Sequence, residues 1–139
     1  MTTLQVVFAA RDPRRLAEFW RFALGYASEP PPPGFGSWED FARANDLPLT
    51  AEDIDSAVDP KGTGPRLLFE RDEPRARGAV HLDVNASSSG MSMSEKRARV
   101  DQTVERLISA GATKTRVVER ERDYWVELTD PEGNWFCVQ

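Results

Sequence analysis

The stretch DPEGNWFCV, residues 130–138, joins a turn signal to a short apolar run that holds the only cysteine of a 139-residue chain. Asp-Pro-x-Gly-Asn is turn chemistry, and the run that follows reads as a strand. The turn has an echo in DPKGTGPRLLFE, residues 59–70, where Asp59, Pro60 and Gly62 precede Leu-Leu-Phe-Glu. Asp-Pro-x-Gly is common, so the echo gains weight only if what precedes each copy also repeats.

It does. LQVVFAA (4–10) reads as a strand with Leu4, Val6 and Phe8 on one face and Gln5, Val7 and Ala9 on the other. Asp12 then Pro13 is an N-cap followed by proline at the first helical position, where its missing N–H costs nothing. Leu16, Phe19, Trp20 and Ala23 fall at helical spacing, and Gly25 supplies the stop. In the second half AVHLDVN (79–85) is a strand, with Val80, Leu82 and Val84 opposite His81, Asp83 and Asn85. Ser92 and Glu95 have capping-box spacing, and Val100, Val104, Leu107 and Ile108 form a helical stripe that ends at Gly111. TRVVER, DYWVELT and NWFCV then give three strand-like runs separated by polar turns. The whole reads as a duplicated βαβββ module in an α+β chain, module one spanning about 1–72 and module two about 79–139 of a single domain.

Residues 28–65 break the symmetry. EPPPPGFG (29–36) reads as extended polyproline-type chain. SWEDFARAN (37–45) reads as a short helix capped by Ser37, and TAEDIDSAV (50–58) as a second one capped by Thr50, with Ile54 and Ala57 beneath it. Phe35, Trp38 and Phe41 either dock this insertion on the core or belong to a lid.

Composition removes several function classes. A formal net charge of −5 argues against a phosphate-binding surface, so nucleic acid is not an expected partner. No apolar run approaches the roughly 18 residues of a membrane span, and the first residues read as a strand, not as a signal peptide. A single cysteine forms no intramolecular disulfide and fits a reducing compartment, so a cytoplasmic location is expected. No phosphate loop, nucleophile elbow or zinc-protease motif is present.

His81, the only histidine, is the conspicuous chemical residue, with Asp83 on the same strand face. Glu70 opposes Leu67 and Phe69 on its own strand as Gln5 opposes its apolar neighbours, so a curled sheet would gather these polar faces inside.

The duplicated order, with ARDPRRLAEFW (10–20), PRLLFER (65–71), VHLDV (80–84) and the terminal DPEGNWFCV, resembles the vicinal oxygen chelate superfamily of glyoxalases, bleomycin-resistance proteins and extradiol dioxygenases. It is most similar to the small bacterial glyoxalase-like branch, which carries a segment like PPPPGFGSWEDF (30–41). The resemblance implies two paired βαβββ modules in a cupped mixed sheet, helices outside and a small-molecule site within, and such folds often form homodimers. It implies four metal positions, at Gln5, Glu70, His81 and Cys137, where Cys137 stands in place of the usual carboxylate. The metal is left open, among zinc, nickel, iron, manganese and none, and a two-histidine iron site needs a second histidine the chain lacks. The implied enzyme is a lyase or isomerase with Glu70 and His81 as catalytic residues and Gln5, Asp83, Trp38, Trp125 and Trp135 at the substrate. The alternative is a metal-free small-molecule or drug-binding protein similar to the bleomycin-resistance proteins, with Trp125 and Trp135 as stacking surfaces.

Overall fold

A computed structural model describes residues 5–48, 50, 52–73, 81–88 and 90–139 of the chain. Leu4, Ala79 and Val80, placed on strands by the sequence, lie outside the described residues. The chain divides into two compact units, residues 1–74 and 75–139.

In the N-terminal unit, β1 (Gln5–Ala10) leads to α1 (Pro13–Leu24), α2 (Trp38–Ala44), β2 (Ile54–Ala57) and β3 (Arg66–Arg71). The Asp12 side chain caps α1 by accepting from the Arg15 N–H, Pro13 occupies its first turn, and Gly25 ends it at φ 67°. The sheet order is β1-β3-β2, with β1 parallel and β2 antiparallel to β3. Leu16, Ala17, Phe19 and Trp20 of α1 are buried. Trp20 meets Phe8 of β1 at 5.5 Å, and Phe8 stacks on Phe69 of β3 at 5.0 Å. Large buried side chains such as Leu16, Phe19 and Phe69 are each worth about 1.5–3 kcal/mol, which is what holds a short helix on a three-stranded sheet.

The second short helix expected in residues 50–58 does not form. Ile54–Ala57 is strand β2, paired with β3 from Ile54↔Glu70 to Ala57↔Leu67. Ahead of it, Asp53 Oδ2 accepts from both the N–H and the hydroxyl of Thr50 and closes a turn. The composition explains the outcome: Ile54 and Val58 are β-branched, while Asp55 and Ser56 compete with helical hydrogen bonds. Pairing with β3 also satisfies backbone groups that an isolated two-turn helix would leave to its own marginal stability. The strand is then tied to α1, because Arg21 ion-pairs with Asp55 and donates to the Ser56 carbonyl from Nε at 3.1 Å and Nη2 at 2.8 Å.

A fourth strand of the first module is reduced to the single bridge Ala27↔Val58. Pro30 to Pro33 follow almost at once, and four residues without an N–H cannot extend a ladder.

The C-terminal unit contains β4 (Leu82–Val84), α3 (Met93–Ser109), β5 (Thr113–Glu119), β6 (Tyr124–Thr129) and β7 (Trp135–Val138) in sheet order β4-β7-β6-β5. Both halves of the Ser92–Glu95 capping box are made. Val100, Val104 and Leu107 are buried, whereas Ile108 is 41% exposed and so lies outside the apolar stripe. α3 packs on β6, and Tyr124 donates its hydroxyl to Asp101 of α3. Burial first, and the Asp101 carboxylate second, push the Tyr124 phenol up to about 12, so it stays a neutral donor.

The echoed turns have the same construction. Asp59 accepts through Oδ1 from the Lys61 N–H and through Oδ2 from the N–H groups of Thr63 and Gly64, and Gly62 bonds back to the Asp59 carbonyl at φ 68°. Asp130 accepts from the N–H groups of Glu132 and Asn134, and Gly133 bonds back to its carbonyl at φ 87°. Only glycine adopts such φ values without strain, which fixes the Asp-Pro-x-Gly spelling of both. Each turn delivers the chain to a strand that runs parallel to the first strand of its unit.

Candidate functional site

On the C-terminal sheet, strand pairing builds a row of side chains that were far apart in sequence. Asp83 of β4 faces Cys137 of β7, and Cys137 faces Glu127 of β6. Directly paired residues project to the same side, so these three stand together on the side opposite Val84, Val126 and Val138, which are buried. His81, just ahead of β4, closes the group. Its Nε2 lies 3.1 Å from Asp83 Oδ1, and its ring sits 4.1 Å from that of Trp135 with the planes tilted by 37°. Donor atoms of His81, Asp83 and Cys137 all fall within 4.8 Å of one another. Cys137 is buried, while the His81 side chain retains 35% of its exposure. The cluster is thus rooted in the core and open on one side.

An imidazole nitrogen, a carboxylate oxygen and a thiol sulfur form the mixed donor set that suits a borderline ion such as zinc. Bonds of about 2.0–2.3 Å place tetrahedral ligands roughly 3.3–3.8 Å apart, so the set closes on an ion with side-chain adjustments of about 1 Å. The three residues fit a divalent metal.

Glu127 escaped the sequence reading, and it is a carboxylate directly across from Cys137. Its side chain is 16% exposed and its Oε1 lies 4.0 Å from Arg116 Nη1. The signal was present in YWVELT, where Trp125, Glu127 and Thr129 alternate with buried Val126 and Leu128. Counting back from the Asp130 turn would have set Glu127 against Cys137. Trp125, expected as a stacking surface, already carries the Arg120 guanidinium 5.1 Å over its ring.

The N-terminal unit treats its two predicted ligands differently. Gln5 pairs with Arg66 across β1 and β3, and its side-chain oxygen accepts from Arg66 Nη1 at 2.8 Å. The atom that would bind a cation is therefore engaged by one. Glu70 is exposed and faces Ala9, four residues further along the same pair of strands. At about 3.3 Å per residue, Gln5 and Glu70 stand roughly 13 Å apart and do not share an ion.

Arg66 is turned instead toward Glu29. Its Nε lies 2.9 Å from Glu29 Oε2, which also accepts from the Ser56 hydroxyl at 3.1 Å. This network borders a cavity of about 480 Å³ that Trp38 also lines. Trp38, one of the predicted substrate residues, donates its indole N–H to the Glu29 carbonyl at 2.9 Å and meets Phe41 edge to face at 5.7 Å. Glu29, Ser56 and Arg66 were not legible as a group, because nothing local links residues 27 to 37 positions apart.

The model of the glyoxalase-like domain matches residues 5–139. The chain belongs to the glyoxalase-like domain family. Solved crystal structures share the fold. A glyoxalase/bleomycin resistance protein/dioxygenase family enzyme from Burkholderia phytofirmans PsJN shares 18% identity at a TM-score of 0.65, over 96% of this chain and 94% of that one. Lactoylglutathione lyase from Agrobacterium tumefaciens shares 14% at 0.58, over 99% and 91%. The fosfomycin resistance protein FosX from Mesorhizobium loti shares 12% at 0.58, over 99% and 88%. At these identities the likeness is one of fold, and one fold can host more than one chemistry. No curated protein matches the chain. Among the described residues, no helix is long and apolar enough to cross a membrane.

Proposed function

We propose that this glyoxalase-like protein is an enzyme of lyase or isomerase type that moves a proton on a small oxygenated molecule, with its chemical centre on the C-terminal sheet. The observation that carries the reading is the convergence of His81, Asp83 and Cys137 donor atoms within 4.8 Å, with Glu127 across the strand from Cys137. His81, Asp83 and Cys137 would hold a divalent ion, which when bound supplies Lewis-acid polarisation of a substrate oxygen. Trp135 against the imidazole fixes the ring's orientation. Glu127 would accept the proton from the carbon next to that oxygen and deliver it to the adjacent carbon, ending as a carboxylate again, with Arg116 as its countercharge. The carboxylate that the family's metal enzymes keep at the position of Cys137 is thereby supplied by the neighbouring strand.

Cobalt(II) substitution tests this directly. Binding produces a cobalt–thiolate charge-transfer absorption, which Cys137→Ser abolishes and Glu127→Gln preserves. Deuterium uptake from solvent beside the carbonyl, followed across a panel of small hydroxyketones and thiohemiacetals, is expected in the wild type and is lost in Glu127→Gln. A Glu127→Gln protein with unchanged exchange would remove Glu127 from the mechanism.

A further inference from the structure

The cavity of the N-terminal unit has a lining that specifies a ligand. Trp38, Phe41, Leu47, Ile54 and Leu68 give it a predominantly apolar wall. That wall is held in place before any ligand arrives. The indole of Trp38 is hydrogen-bonded to the Glu29 carbonyl, and Phe41 is braced edge to face by Phe35 at 5.2 Å. Its polar lining includes Glu29, Ser56 and Arg66, with Ser56 and Arg66 both donating to the Glu29 carboxylate. A volume of about 480 Å³ lies within the 300–1,000 Å³ typical of small-molecule pockets.

Charge decides the ligand class. Glu29 and Arg66 form an ion pair whose side chains are 25% and 31% exposed, so each already neutralises the other. Asp55, which also lines the cavity, is neutralised by Arg21, and the remaining charged lining residues, Arg14 and Glu39, are exposed to solvent, where a charge pair gains little. A ligand carrying its own charge would be desolvated without gaining a buried counter-ion, and an unpaired charge in a mostly apolar site is costly. A neutral hydroxyl or carbonyl loses much less on burial, and it finds donors and acceptors at the Glu29–Ser56–Arg66 group.

We propose that this cavity binds an uncharged ring compound, one or two rings in size, whose hydroxyl or carbonyl meets Glu29, Ser56 and Arg66 while its rings lie against Trp38 and Phe41. The proposal goes beyond the proton-transfer reading and does not rest on it, because its test reads binding alone and involves none of His81, Asp83, Cys137 or Glu127.

The experiment is calorimetric titration of the full chain at pH 7 with three probes of one shape: 2-naphthol, 2-naphthoate and 2-naphthylmethylammonium. The neutral probe is expected to bind at least tenfold more tightly than either ion. Glu29→Gln leaves the Arg66 guanidinium without its carboxylate, so the order should invert and 2-naphthoate should become the tightest of the three. Leu68→Trp fills the cavity and should weaken 2-naphthol at least tenfold. Should that variant not fold, Trp38→Ala, at a residue 39% exposed, gives the same weakening without threatening the core. Equal affinities for the three probes, an order unchanged by Glu29→Gln, or no binding of 2-naphthol would each overturn the proposal.

Discussion

Replacing Arg21 with methionine tests the most consequential feature of the N-terminal unit, the strand at Ile54–Ala57. In the folded chain Arg21 reaches from α1 to Asp55 and to the Ser56 carbonyl, with its own side chain 17% exposed and that of Asp55 21% exposed. Breaking a fully buried pair costs about 3–5 kcal/mol, because the surviving charge is left without a partner. Partial exposure lets water reach Asp55, so we expect a cost of about 2 kcal/mol, most of it from stranding that carboxylate. With an unfolding entropy of about 2.1 cal/mol/K per residue, this lowers the Tm of a chain of this length by about 7 °C. Urea denaturation of Arg21→Met, Asp55→Asn and the double variant gives the coupling directly, expected at about 1–2 kcal/mol. Were residues 50–58 helical, no such coupling would arise. A single variant within about 0.5 kcal/mol of wild type, together with zero coupling, would refute the strand assignment.

Three further outcomes follow from the same geometry. Ser92→Ala removes the capping-box acceptor and should cost about 1 kcal/mol in chemical denaturation, with little change at Thr or Ser positions outside the cap. Phe136→Ala, at a side chain with no exposed surface, should cost about 3–5 kcal/mol and is the strongest test of the C-terminal core. The Asp59 carboxyl is held well below the ordinary aspartate value of 3.8, chiefly by the Thr63 hydroxyl and then by the Lys61 and Gly64 N–H groups. A depressed folded-state pKa stabilises above the unfolded value and is lost as pH falls through the folded one. The Tm difference between wild type and Asp59→Asn should therefore be constant from about pH 5 to 7 and shrink in acid below about pH 4. A gap that widens in acid would mean that folding raises the Asp59 pKa instead of lowering it.

Much of the fold was legible because it rests on local signals. The Asp12-Pro13 cap, the Ser92–Glu95 box and the glycines of the two Asp-Pro-x-Gly turns each need only neighbouring residues, and each stands where the sequence put it. Residues 50–58 were misread because Thr50 mimics an N-cap, while the deciding partners, Glu70 to Leu67 and Arg21, lie far away in the chain. The candidate site divides along the same line. His81 and Asp83 share a face by parity alone, two residues apart in sequence, and this holds although β4 itself begins only at Leu82. Glu127 needed the register of the β6–β7 hairpin, and the Glu29–Arg66 pair needed the fold of the proline-rich insertion, which no periodicity encodes. Gln5 and Glu70 looked equivalent in sequence because both face away from apolar neighbours. Only the parallel register of β1 and β3 shows one beside Arg66 and the other about 13 Å away.

In the proposed reading His81, Asp83 and Cys137 form one centre able to hold a divalent ion. Elemental analysis of the purified protein, after incubation with zinc, nickel, cobalt, manganese or iron(II) and exhaustive dialysis, tests it beside His81→Ala and Asp83→Ala. About one tightly held ion per chain is expected, zinc or cobalt in preference to manganese, with loss of that ion in both variants and the fold retained by circular dichroism. Failure to retain any of the five metals, or retention undiminished in His81→Ala, would contradict it.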